Sequence, residues 1–228
     1  MTRLMGMMLI LVAIAAPSAA QQPLQRTFAS PDEAAAALFN AAEQHDSTAA
    51  QAILGPTWRE LVLSGDSARD ARDIDQFVRN YKEMHRTAEN ADGTTTLYVG
   101  AENWPLPIPL AQRNGAWYFD ADAGKKEILF RRIGENELAA IAICRQVAVG
   151  VAADTGERQG YHYRLVQQGE SRVAIAYPAE YGISGVMTFY AGADSVVYQK
   201  DLGVETTATA QALGAHQPDK SWQRINEK

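Results

Sequence analysis

The chain has 228 residues, 46% of them hydrophobic and 21% charged, with a formal net charge of −6. This composition excludes wholesale disorder and collagen-like repeats. The acidic balance, without a long basic run, argues against a nucleic-acid partner and against docking on an anionic membrane surface.

Residues 1–20 read MTRLMGMMLILVAIAAPSAA. Arg3 opens the segment, an apolar run spans Leu4 to Ala16, Pro17 breaks it, and Ser18-Ala19-Ala20 offers small residues before Gln21. That order predicts a cleaved secretory signal, a mature chain from Gln21 and a periplasmic or extracellular location. A spanning helix needs about 20 apolar residues, so no stable membrane insertion is expected after cleavage. Cys144 is the single cysteine and forbids an internal disulfide. Its setting, LAAIAICRQVAV, reads as a buried hydrophobe.

In chain order, Ser30-Pro31-Asp32-Glu33 predicts a helix start, with Ser30 as N-cap, Pro31 in the first position and Glu33 closing a capping box. Asp46 caps a second short helix that ends before Gly55-Pro56. A third helix is expected over 70–85, where Ile74, Phe77, Val78 and Tyr81 recur at helical spacing. Asp92-Gly93 and Asn114-Gly115 predict hairpin turns, the first between strands near 86–91 and 94–100, the second between 106–112 and 115–119. In Trp104-Pro-Leu-Pro-Ile-Pro-Leu110, three prolines share one side and three aliphatics the other. The missing N–H groups predict an edge strand or polyproline segment. A long helix is expected from Gly124 to Ala152, charged in its first turns and apolar on nearly every face later, so that other elements should wrap it. Gly134 predicts a bend or a close contact within it. Residues 153–160 read as a polar loop. Strands follow near 160–167, 172–177, 185–190 and 195–200, with a hairpin loop at 191–194. The tail after Gly203 is polar, with Trp222 docking back.

Several phrases are long and unusual: GAENWPLPIPL, WYFDADAGKKEILFRRIGENELAAIAICR, YHYRLV and AYPAEYGISGVMTFY. On them the chain resembles the bacterial family known as domain of unknown function 2950, across most of its mature length. The resemblance implies an exported bacterial protein without an assigned activity. It also implies that the segment between the long helix and YHYRLV is shortened here to little more than residues 153–160. At the level of fold, the first half is similar to a nuclear transport factor 2-like or cystatin-like cone. The second half, a long helix before a strand meander, resembles a pilin-like head. The expected architecture is α+β, as two subdomains, 21–121 and 122–228, that share the long helix.

Catalytic signatures are scarce. No two of the four histidines lie within five residues of each other and no Cys pair exists, so neither a metal nor another cofactor is expected. Asp120-Ala-Asp122-Ala-Gly124 begins like a calcium loop, but Arg131 stands where the closing glutamate belongs, so the segment reads as a turn with Asp122 as helix cap. Gly182-Ile-Ser184-Gly185 falls one residue short of a nucleophile elbow. The candidate ligand or interface residues are Arg131, Arg132, Glu135, Asn136 and Glu137, read mainly as an internal salt-bridge belt, together with Trp104 and Trp117. The leading functional expectation is a non-enzymatic exported protein that binds or assists an unidentified envelope partner. The alternative is a small-molecule binder or enzyme using a cavity in the first half, walled by Trp58, Tyr81, Trp104 and Trp117. Two or more converging polar groups in a real pocket would favour that alternative.

Overall fold

The computed structural model describes residues 25–150, 156–168, 170–214 and 219–225. The expected export leader and the first part of the 153–160 loop lie outside the described residues. Four helices come first: α1 (Pro31–Glu43), α2 (Ser47–Leu54), α3 (Trp58–Val62) and α4 (Ser67–Glu83). Strands β1 (His85–Glu89), β2 (Thr95–Val99), β3 (Trp104–Pro105), β4 (Leu110–Arg113) and β5 (Ala116–Phe119) form the first sheet. The long helix α5 (Ala121–Ala148) follows. The second sheet holds β6 (Glu157–Arg158), β7 (Tyr161–Gln168), β8 (Ser171–Pro178), β9 (Met187–Gly192), β10 (Val197–Asp201) and β11 (Gln223–Arg224), with a short helix α6 (Thr206–Ala212) before its last strand. The strands pair antiparallel throughout both sheets, so the fold is α+β.

The helix starts follow from side chains that accept the first free N–H groups. Ser30 Oγ accepts from Glu33 N at 3.1 Å, and Glu33 returns a carboxylate to Ala29 N at 3.0 Å. Asp46 takes the N–H groups of Thr48 and Ala49, and Asp66 those of Ala68 and Arg69. Each such cap is worth about 1 kcal/mol. The Asp66 cap starts α4 at Ser67, three residues before the expected position. The end of α1 is less ordinary. His45 N bonds Ala42 O and Asp46 N bonds Ala41 O, the closure that usually places glycine in the left-handed region. Here His45 holds that place, with φ of 49°.

In the first sheet β2 lies between β1 and the broken strand formed by β3 and β4. Ile108, Leu110 and Phe119 are buried toward α1 and α2, and Leu97 and Val99 toward α1 and α4. The proline segment runs along β2 through Tyr98↔Pro105 and the Leu106 N to Leu97 O bond. Its proline side faces away from β2, as the missing donors require. That side is covered by the end of β5 and by α5: Pro109 O accepts Asp120 N at 2.8 Å, next to the Leu110↔Phe119 pair, and Pro105 O accepts Arg131 Nη1 of α5 at 2.8 Å. Asn114 and Gly115 both take positive φ and close the two-residue turn between β4 and β5.

Asp120, rather than Asp122, caps α5 by accepting Ala123 N, so the helix begins at Ala121. Its second half lies on the second sheet, where Ala140, Cys144 and Val147 pack with Tyr161, Ala174 and Phe189. Full burial of a side chain as large as Phe189 is worth roughly 1.5–3 kcal/mol. The helix is not wrapped on all sides: Leu138 is 71% exposed, and Phe130 and Val149 are also open. Gly134 has open space around it and makes no close contact; the close approach occurs at Gly124, against Ile108. The hairpin loop of β9 and β10 falls two residues later than expected, because Ala191 still pairs with Val197. The opposite face of that sheet carries Val173, Ile175, Tyr177 and Tyr190 beneath α6. Arg164 bonds the carbonyls of Ala210 and Leu213 at the end of α6, and Trp222 meets Tyr190 edge-on. The tail is therefore not simply polar: α6 is a packed element within it, and the periodicity of TTATAQA is too weak to announce it.

Candidate functional site

A cavity of about 590 Å³ opens between the four N-terminal helices and the β3–β4 segment. Its apolar walls come from Leu38 and Ala42 of α1, Leu54 of α2, Trp58 and Leu61 of α3, Phe77 of α4, and Leu106 and Ile108 beyond β3. The polar members of the lining are His45, Asp46, Ser47, Asp73, Gln76 and Asn80, all supplied by the α1–α2 joint and α4. The polar groups are thus gathered at the α1–α2 joint and on α4, and the rest of the lining, including the sheet side, is apolar. Gln76 Nε2 donates to Asn80 Oδ1, and Arg79 Nη2 donates to Gln76 Oε1. His45 Nε2 stands 3.6 Å from Asp75 Oδ1, with both side chains more than half exposed. Among the described residues, no hydroxyl or thiol is hydrogen-bonded to His45.

Trp104 and Trp58 line this cavity, whereas Trp117 and Tyr81 do not. Trp104 is 46% exposed at its margin, and the Arg131 guanidinium lies 5.4 Å from the indole. Trp117 exchanges two backbone bonds of 2.8 Å with Phe28 and packs in the core of the first half. Tyr81 is buried, stacked between Phe39 and His85.

The polar belt on α5 separates into three situations. Arg131 pairs with Glu127, one turn earlier, at 2.8 Å rather than with Glu135. Arg132 and Glu135 are exposed and form no ion pair among the described residues. Asn136 and Glu137 reach the β8–β9 loop instead: Asn136 Nδ2 donates to Ser184 O at 2.9 Å, and Glu137 Oε1 accepts Val186 N and Met187 N at 3.0 and 2.9 Å. Tyr161 adds a bond from its hydroxyl to Met187 O, and burial, with the Glu137 charge nearby, pushes its phenol well above the usual range. A β-carbon on Gly185 would overlap the Tyr161 hydroxyl. The expected salt-bridge belt is therefore largely a clamp on one loop, made by an amide donor, Asn136, and a carboxylate acceptor, Glu137. Ser184 Oγ is occupied within that loop by Glu180 N and Glu180 O.

Cys144 is fully buried, and desolvation pushes its thiol up to about 12. His162 rests against Tyr177, and His85 Nδ1 is 2.9 Å from Tyr81 O. No group of three metal-ligating side chains occurs among the described residues, and no helix among them is long and apolar enough to cross a membrane.

The feature that reasoning from sequence missed is His45. Its signal was present in the text: a helix ends at Gln44 where no glycine follows, so some other residue had to take the left-handed position.

These observations define an α+β protein with a partly open apolar cavity in its helical first half. The family model described as protein of unknown function (DUF2950) matches residues 25–154 and 148–225, and the chain belongs to that family. The two matched stretches overlap over residues 148–154, at the start of the connection that the resemblance marks as shortened. No curated protein and no solved structure matches the chain.

Proposed function

We propose that this is an exported, non-enzymatic binding protein whose ligand is a small, largely apolar molecule. The observation that carries the reading is the cavity itself. Its volume lies within the range of ligand sites, roughly 300–1,000 Å³, and its walls are apolar with polar groups gathered on one side. A half-exposed Trp104 at the margin gives the ligand an aromatic surface to lie on. The leader at residues 1–20 supports a periplasmic or extracellular location. Between an accessory to an envelope partner and a small-molecule binder, converging polar groups in a real pocket favour the binder. The His45–Asp75 pair does not by itself make a catalytic site, because both side chains are more than half exposed and no nucleophile among the described residues is hydrogen-bonded to His45.

Native mass spectrometry of the protein purified under mild conditions from its own host tests this. The expected spectrum carries mass beyond the polypeptide that is released on denaturation. Ala42→Trp, which fills the cavity from α1, should keep the circular dichroism of the parent and lose that mass. A bare polypeptide mass for the parent would end the proposal.

A further inference from the structure

We infer that the ligand is a cationic amphiphile, with an alkyl body on the sheet side of the cavity and an ammonium-type group at the helix side. The inference rests on the binding reading above and deepens it. The carboxylates in the lining are Asp46 and Asp73, and the lining contains no Lys or Arg. The neighbouring guanidiniums are engaged outside it: Arg59 lies over the Trp58 ring at 5.0 Å, and Arg131 lies over the Trp104 ring at 5.4 Å and pairs with Glu127. Arg69 Nε lies 3.7 Å from Asp73 in a pair that is two-thirds exposed, and Arg79 donates to Gln76.

An anionic head group placed at this rim would meet two like charges, with the His45 imidazole and the neutral donors Ser47, Gln76 and Asn80 as its partners in the lining. A cationic one would meet Asp73, and also Asp46, whose Oδ1 alone is used in capping α2. Exposed pairing with Arg69 is weak, so a cation held at the edge of a low-dielectric cavity competes with it effectively. The sheet side, formed by Trp104, Leu106, Pro107 and Ile108, contributes no side-chain polar group but the indole N–H, and so suits an alkyl chain.

The test titrates the purified full chain with three probes of one chain length, decyltrimethylammonium, decanol and decanoate, below their micellar concentrations. Binding is read from Trp fluorescence and isothermal titration calorimetry. The expected order is ammonium, alcohol, carboxylate, with the ammonium at least about tenfold tighter than the carboxylate. Asp73→Asn should bring the ammonium close to the alcohol. Glu89→Gln, which removes a charge outside the lining, should leave the ratio unchanged and so separates a local effect from the net negative charge. Decanol or decanoate binding as tightly as the ammonium overturns the cationic preference while the cavity reading stands. If none of the three binds, both readings fall.

Discussion

Single side chains in this protein carry opposite electrostatic assignments according to what surrounds them. Asp70 is a carboxylate on α4 with little exposure, and it accepts the Ser64 hydroxyl at 2.6 Å and the Ser64 N–H at 2.7 Å. These bonds hold its carboxyl below the ordinary aspartate range. A lowered native value means that the ionised form is the one folding favours. Its contribution is complete above the unfolded value of about 3.9 and is lost as pH falls through the lower native value. Asp70→Asn should therefore lower Tm at neutral pH, and the gap to the parent should narrow below about pH 4. Thermal melts across the acid range decide it; a gap that stays constant down to pH 3 rules the assignment out. Arg131 shows the limit of reading at this scale. Glu127 and Glu135 are equally spaced from it along a helix, so sequence alone leaves the choice between them open. The structure selects Glu127, and Arg131 also donates to Pro105 O beside the first sheet.

Two glycines in α5 separate propensity from packing. A β-carbon on Gly124 would come within 3.1–3.3 Å of Ile108, including its Cα. Ile108 is buried and sits between Pro107 and Pro109, whose fixed φ angles leave the backbone little room to retreat. Gly134 faces open space in the same helix. Gly124→Ala should cost about 1–3 kcal/mol through overpacking, and Gly134→Ala should gain about 0.5–1 kcal/mol through helix propensity. Denaturant unfolding of both variants checks the pair; equal signs would refute the contrast.

The same division explains which elements could be read in advance. Helix starts were legible at Ser30 and Asp46 because caps are local chemistry. The proline edge was legible because an absent N–H is a covalent fact. Helices α3 and α6 were not, since five and seven residues are too few for a periodic signal and are held by tertiary packing. The cavity was not legible either, because Leu38, Phe77 and Leu106 spell the same pattern whether they touch one another or line a space.

For the molecule as a whole, α5 is the element that both sheets use. Near its start Lys125 pairs with Glu60 at 2.6 Å and Arg131 bonds Pro105 O, while later Asn136 and Glu137 hold the β8–β9 loop. Loss of the helix would remove contacts from both sheets together, so the chain should unfold as one cooperative unit. Tryptophan emission, dominated by Trp58, Trp104 and Trp117 in the first half, should report the same denaturant midpoint as alkylation of Cys144 in the second. Separate midpoints would show that the helix does not couple them.

The proline strand also sets an order of assembly. Its outward carbonyls at Pro105 and Pro109 are satisfied by Arg131 and Asp120, residues that follow the first sheet in the chain. A nascent polypeptide that has completed β5 holds every strand of that sheet and still lacks the groups that seal its flank. A chain ending at β5 would therefore leave Pro105 O without the Arg131 guanidinium. That flank is closed only by the opening turns of the helix that also founds the second half, so the first sheet is completed by an element it shares with the second.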